Sequence, residues 1–187
     1  DLARALPSWL TTPGVDEVVV VDWGSSPPLD RVVEGVLAAA TERGGGGADP
    51  SAGVDGLAAA AAARLRLLRV EGEAGWVLTR AYNLGVAVAG RSAVLRVDCD
   101  HVVGRGIVGD HPLGEPGVFY TGSWARARTP AEEHLNGAVL VSRAAFRAVG
   151  GYDERLQRQG WGDEDLYGRL RAAAGKGGDA AHRHLEH

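Results

Sequence analysis

Apolar and polar positions change their spacing several times along the chain, and each change marks an element. Leu2, Leu6, Trp9 and Leu10 fall on one side of a helical wheel, so the start of the chain predicts an amphipathic helix. The segment Val15–Asp22 holds a run of valines and leads into Gly24-Ser25-Ser26-Pro27-Pro28, the pattern of a buried strand followed by a turn. A helix is predicted from Leu29 to about Glu42. Gly44–Gly47 and Asp49-Pro50-Ser51 then read as a loop and Gly53–Ala63 as alanine-rich low complexity, so residues 43–63 form an insert without evident chemistry. Arg64–Val70 alternates basic and apolar residues as a strand does, Trp76–Ala89 has helical periodicity, and Ala93–Val97 is a short apolar strand. Val118–Tyr120 and Ala138–Val141 are further strands, Arg143–Val149 and Glu164–Ala173 further helices. Strand, helix, strand, helix, strand in this order predicts an α/β domain whose mostly parallel, mixed sheet is flanked by helices.

Composition narrows the class without naming a reaction. The chain has 187 residues, 45% of them hydrophobic, and a net charge of −4. That is enough for one α/β domain with its own core and too little for a second. No apolar run approaches the roughly 18 residues of a membrane span, and no charged start with an apolar segment after it has the form of a signal peptide. Net acidity without a basic stripe argues against nucleic acid as a partner. The single cysteine, Cys99, excludes an internal disulfide and leaves the redox compartment open. A helix is already under way at Asp1, so the first strand of a doubly wound domain is expected to precede it.

Two acidic clusters carry the candidate chemistry. Asp98-Cys99-Asp100 closes the apolar run Ala93–Val97. Carboxylates two residues apart repel each other unless a cation or hydrogen bonds offset them. At the carboxyl end of a strand they are placed to hold a divalent cation against a diphosphate. Oxygen donors suit manganese first and magnesium next. Cys99, between them, takes the opposite face and has no assigned role. The second cluster, Gly160-Trp161-Gly162-Asp163-Glu164-Asp165, puts three acids at the positive end of a predicted helix. Arg80 and Asn83 lie three apart and share a helix face.

Five motifs occur in one order: Val20-Val21-Asp22-Trp23-Gly24-Ser25, Arg80-Ala81-Tyr82-Asn83-Leu84-Gly85, Asp98-Cys99-Asp100, Gly150-Gly151-Tyr152-Asp153-Glu154 and Trp161-Gly162-Asp163-Glu164-Asp165. In this order they resemble GT-A glycosyltransferases, most closely family 2 enzymes with a galactosyltransferase-type carboxyl segment. The resemblance covers nearly the whole chain and implies one GT-A domain, residues 1–187, that lacks its first strand. It implies a metal-dependent, inverting transfer of a hexose, galactose-type first, from a uridine diphosphate sugar to a glycan or other hydroxyl acceptor.

The resemblance also implies roles. Asp22 meets the uracil imide N–H, with Trp23 where a second Asp often sits. Arg80 and Asn83 line the donor site. Asp100 is the direct metal ligand and Asp98 faces ribose or metal. A late histidine also reaches the cation, His187 fitting best and His184 next. Asp165 is the general base, Glu164 orients the acceptor, and Trp161, Gly162 and Asp163 face it. Asp163 stands where glycine is frequent, which leaves open which acid lies nearest the hydroxyl. His101, directly after the Asp pair, is placed to approach the phosphates, His134 is a loop residue, and Trp124 and Tyr120 either offer a sugar-stacking face or belong to the core. The compartment, cytoplasmic or Golgi-lumenal, depends on what precedes the chain.

Two other readings stay open. Leu95-Arg96-Val97-Asp98-Cys99-Asp100-His101-Val102 also resembles the first motif of haloacid-dehalogenase-type phosphatases, in which the first Asp is a phosphorylated nucleophile. That motif needs a downstream lysine, and Lys176 is the one lysine present. The third reading is a non-catalytic domain that binds nucleotide-sugar or glycan.

Overall fold

The computed structural model describes residues 1–43, 61–133, 135, 137–156 and 161–186. Most of the expected insert (44–60), His134, Gly160 and His187 lie outside the described residues. The early elements follow their hydrophobic spacing. Helix α1 (Leu2–Thr11) buries Leu2, Ala5, Leu6 and Leu10, strand β1 is Val18–Trp23, and helix α2 is Asp30–Arg43. These pack with Val33 and Val36 into one apolar cluster. Strand β2 (Leu65–Val70) lies parallel to β1, Val18 opposite Leu65 and Asp22 opposite Arg69. Helix α3 (Leu78–Val88) follows.

The second half forms a separate sheet. Strand β3 (Ala93–Arg96), β4 (Phe119–Thr121), β5 (Val139–Ser142) and β6 (His182–His184) are ordered β3-β5-β4-β6. The short helix α4 (Pro130–Glu133) precedes β5, and α5 (Arg143–Ala148), α6 (Gly162–Ala173) and α7 (Gly178–Ala181) lie between β5 and β6. Along β4 and β5 the side chains alternate between two covered faces. Phe119, Val139 and Val141 join Phe146, Leu166 and Leu170 on one side. Tyr120 and Leu140 join Val103, Ile107 and Leu185 on the other.

The single, mostly parallel sheet expected from the element order is corrected here. Among the described residues, β1 and β2 pair only with each other, and β3 pairs antiparallel with β5. β3 is the edge strand of its own four-stranded sheet, bonded to β5 on one side and to no described strand on the other, so it does not extend the β1–β2 pair. The direction of the strands still matters. β5 runs antiparallel to both β3 and β4, and β6 runs parallel to β4, so β3, β4 and β6 all point the same way and end at one edge. Strand β6 has no counterpart among the expected elements, and Tyr120 is core, 5% exposed.

Helix α1 reaches across to this edge. The Trp9 indole donates to the His101 carbonyl at 2.8 Å, and the Val103 N–H donates to Ser8 Oγ at 3.1 Å. The turn after β3 is thereby fixed from behind, and His101 is buried rather than facing outward.

Candidate active site

Arg96, the last residue of β3, is 7% exposed. A buried guanidinium is costly unless its donors and charge are met; here both terminal nitrogens are met, while Nε is buried with no hydrogen-bond partner among the described residues. Nη1 donates to the Gly137 carbonyl and lies 3.7 Å from Asp163 Oδ1. Nη2 donates to the Tyr82 hydroxyl and lies 3.1 Å from Asp98 Oδ1. The guanidinium carbon sits 3.8 Å over the Tyr82 ring, a cation–π contact. Arg96 thus joins the two acidic clusters that the sequence keeps far apart.

Two tyrosines complete the grip. Tyr82 donates its hydroxyl to Asp98 Oδ1 at 2.6 Å, and Tyr152 donates its own to Asp163 Oδ1 at 3.0 Å. Their rings lean together, centroids 5.3 Å apart. Each carboxylate is therefore held through Oδ1, and Oδ2 of each has no hydrogen-bond partner among the described residues. Burial pushes the Asp163 carboxyl above its usual range; Arg96 and Tyr152 oppose this without cancelling it, and Asp98 and Glu164 add to it. Burial likewise raises the Tyr82 and Tyr152 hydroxyls, which keeps both as donors. Burial works against the Arg96 charge, yet Tyr152, Tyr82, Asp163 and Asp98 hold its pKa above the ordinary arginine value.

Local geometry delivers Tyr152 and Asp163 to this point. Gly150 and Gly151 both have positive φ, +83° and +67°, a conformation open to glycine. A Cβ on Gly151 would lie 2.6 Å from Asn83 Oδ1. Asn83 needs that closeness because it clamps Tyr152 by main chain: Oδ1 accepts the Tyr152 N–H at 2.9 Å, and Nδ2 donates to the Tyr152 carbonyl at 2.9 Å. Asn83 is thus a brace rather than a donor-site lining alone. Gly162 opens α6, and a Cβ there would meet Thr79 Cγ2 at 3.3 Å.

The three acids of α6 differ sharply. Asp165 Oδ2 is bound by its neighbour one turn on, Arg169, whose Nε is at 3.0 Å and Nη2 at 2.5 Å. Arg169 also donates to the Val149 and Gly151 carbonyls, both at 2.6 Å, so the pair braces the loop before Tyr152. Glu164 is exposed. Asp163 alone shares the Arg96 cluster. Trp161 is 71% exposed and Trp124 69%.

The expected donor side lies at the carboxyl ends of β1 and β2. Asp22 is 1% exposed, and its carboxylate accepts from the Ser25 N–H (2.9 Å), the Leu29 N–H (3.2 Å) and Arg69 Nη1 (2.6 Å). Burial raises its pKa, but these donors outweigh it and the net direction is downward. Asp22 is accordingly spent on the 24–29 loop and on β2. Beside it a shallow groove of about 350 Å³ is lined by Trp23, Val70, Leu84, Arg80 and Glu154. Arg80 faces Glu73 and Glu154 across 3.6 Å each.

Asp100 and Cys99 are exposed in the turn after β3. Across the sheet, Arg96, Val139, Thr121 and His184 fall in one row. The ends of β3 and β6 are three strand spacings apart, about 14 Å. His184 Nε2 is buried with no hydrogen-bond partner among the described residues, and burial, then Arg126, lowers its pKa. Among the described residues no three His, Cys, Asp or Glu side chains cluster as a metal site would require. The tail that carries His184 is pinned by buried Leu185, whose N–H donates to the Thr121 carbonyl at 2.9 Å, and by the Glu186 N–H, which donates to His111 Nε2 at 2.9 Å.

Residues 119–186, from β4 through this tail, match the family described as N-terminal domain of galactosyltransferase. Over this segment the chain is similar to that family. That segment contains Gly137, Tyr152, Trp161 to Asp165 and His184, and Arg96 and Tyr82 bind it to Asp98 from outside its bounds. No curated protein matches the chain. No described helix is long and apolar enough to cross a membrane. The quoted motifs contain Tyr82, Tyr152 and Arg96 but give them no role, although the closeness of Arg96 to Asp98 in sequence is a usable signal.

Proposed function

We propose that this chain is a single GT-A-type glycosyltransferase domain that moves a hexose, galactose-type first, from a uridine diphosphate sugar to an acceptor hydroxyl with inversion. The observation that carries this reading is the Arg96 bridge, which sets Asp98 beside Asp163 at the edge where the galactosyltransferase-type segment begins and ends its strands. Asp98 and Asp100 are the residues that would hold manganese or magnesium, since exposed carboxylate oxygens suit a hard divalent cation. His184 closes β6, about 14 Å across the sheet from the end of β3, and so stands outside that donor set. When bound, the cation supplies charge stabilisation for the leaving diphosphate.

The base is Asp163 in this reading. Inverting transfer needs a carboxylate that accepts the acceptor proton as the new glycosidic bond forms and the bond to the diphosphate breaks. Asp163 keeps Oδ2 available and has a raised pKa, which makes it the better proton acceptor. Asp165, expected in that role, is held by Arg169 and acts as a brace. Glu164 and exposed Trp161 face the acceptor, the indole giving a sugar ring a flat apolar surface. Trp23 and Arg80, at the groove beside β1, serve the base and phosphates of the donor, while Asp22 shapes that loop.

The test is calorimetric titration of uridine diphosphate with manganese and then with a chelator, followed by transfer assays on two variants. Asp163→Asn is expected to keep cation-dependent binding and to lose turnover at least about 100-fold, whereas Asp165→Asn retains chemistry in proportion to its folded fraction. Binding without transfer to any hydroxyl acceptor would favour a non-catalytic nucleotide-sugar-binding domain, and no binding would refute the donor site.

A further inference from the structure

We infer that Arg96 is a positioning residue that sets both halves of the site at once, presenting Asp98 to the donor side and Asp163 to the acceptor side from one buried guanidinium. The inference rests on the function proposed above and adds a group that none of the acidic motifs contains. Arg96 has one nitrogen toward each carboxylate, 3.1 Å from Asp98 Oδ1 and 3.7 Å from Asp163 Oδ1. Each nitrogen has a second acceptor that fixes its direction, the Gly137 carbonyl for Nη1 and the Tyr82 hydroxyl for Nη2. The planar fork is needed for this, because a lysine ammonium is a single point of charge and serves one carboxylate at a time. The two tyrosines divide the work. Tyr82 holds Asp98 and Tyr152 holds Asp163, so removing one hydroxyl loosens one side and leaves the other gripped by Arg96.

That division gives the test a form that a merely structural role would not produce. Tyr82→Phe is expected to raise the donor KM and the dissociation constant of manganese-supported uridine diphosphate with kcat preserved. Tyr152→Phe is expected to lower kcat with the donor KM preserved. Arg96→Lys should do both, each by roughly 10–100-fold, the usual cost of losing a partner that orients a ligand or catalytic group. If Arg96→Lys leaves either quantity at its parent value in folded protein, the dual role is overturned.

A second measurement decides the bridge without activity. Asp98→Asn and Asp163→Asn are made singly and together, and urea unfolding is followed in the parent and in the Arg96→Lys background. Groups coupled through a shared partner depart from additivity. The expected departure is about fivefold or more in the unfolding constant for the parent, shrinking toward none with lysine at position 96. Additive behaviour in the parent would overturn the bridge. Coupling in a protein that neither binds donor nor transfers sugar would leave the bridge standing and refute the glycosyltransferase reading instead.

Discussion

Asp22 tests whether a buried carboxylate at the carboxyl end of a strand belongs to ligand or to fold. Asp22→Asn keeps the shape and one acceptor oxygen, but turns the other arm into an N–H donor facing the Leu29 N–H and Arg69 Nη1. Breaking a fully buried ion pair costs about 3–5 kcal/mol. Arg69 is 32% exposed and keeps Glu71 at 2.7 Å, so solvent and the second partner reduce the figure to roughly 2–3 kcal/mol. With an m-value of about 2 kcal/mol/M, the urea midpoint should fall by roughly 1 M. The pH dependence has a definite sign. The folded-state pKa of Asp22 is depressed, so its contribution is present above the unfolded carboxylate value, about 4, and is lost as pH falls through the folded pKa. The gap between parent and variant should therefore be full at pH 7 and close at strongly acid pH. An unchanged urea midpoint at pH 7, or a gap that widens in acid, would refute the reasoning. An unchanged midpoint together with lost uridine diphosphate binding would return Asp22 to the uracil role.

Two further outcomes follow from close packing and from exposure. Gly151→Ala places a Cβ 2.6 Å from Asn83 Oδ1 and 2.9 Å from Phe146 Cε1 at φ +67°, so it should cost about 2–4 kcal/mol by thermal or urea unfolding. It should also lower turnover in the folded fraction, because the Asn83 clamp on Tyr152 opens. Trp161→Ala, at a position 71% exposed, should change stability by no more than about 0.5 kcal/mol while raising the KM for a glycan acceptor, measured at saturating donor. Equal acceptor KM values for parent and variant would remove Trp161 from the site.

The elements are legible wherever the hydrophobic period is clean. The valine run marks β1, and the spacing of Leu2, Leu6 and Leu10 marks α1. Strand β6 is not legible, because His182-Arg183-His184 has no apolar pattern. It is held by its ladder to β4 and by the burial of Leu185 just after it. His182 shows the same dependence on context: Arg171 donates to its Nδ1 at 3.1 Å, so Nε2 carries the proton toward Thr121 Oγ1 at 2.7 Å, partners no local pattern reveals. The acidic clusters are visible as chemistry, but their connection is not, since Arg96 reads as part of an apolar strand. Arg96 ends β3 and Asp98 follows two residues later, close enough for the charge of one to call for the other. The choice between Asp163 and Asp165 is legible in part. Asp165 and Arg169 are four apart on a helix, the spacing of an ion pair, so the contact that holds Asp165 Oδ2 is readable from the sequence.

Helix α3 explains why two separate sheets yield one candidate site. Its residues divide between them. Arg80 and Leu84 border the groove with Trp23 and Val70, whereas Tyr82 and Val86 pack toward Phe119 and Tyr152. Gly85 faces β1, where a Cβ would meet Val21 Cγ2 at 3.5 Å, an ordinary packing distance. Glu17, just before β1, accepts the Gly90 N–H at 2.6 Å and so ties down the chain after the helix. The groove and the acid pair are therefore two faces of one short helix, and their separation is set by helix geometry rather than by a loop. A side chain exchanged on one face leaves the backbone that carries the other in place, so the effects of Arg80 and Tyr82 variants should combine additively unless the residues share a partner. Asn83 is where they meet, because its Nδ2 contacts Glu154 at 3.0 Å, on the groove, and the Tyr152 carbonyl at 2.9 Å, on the acid side. Coupling between the two sides by way of this helix must pass through that amide.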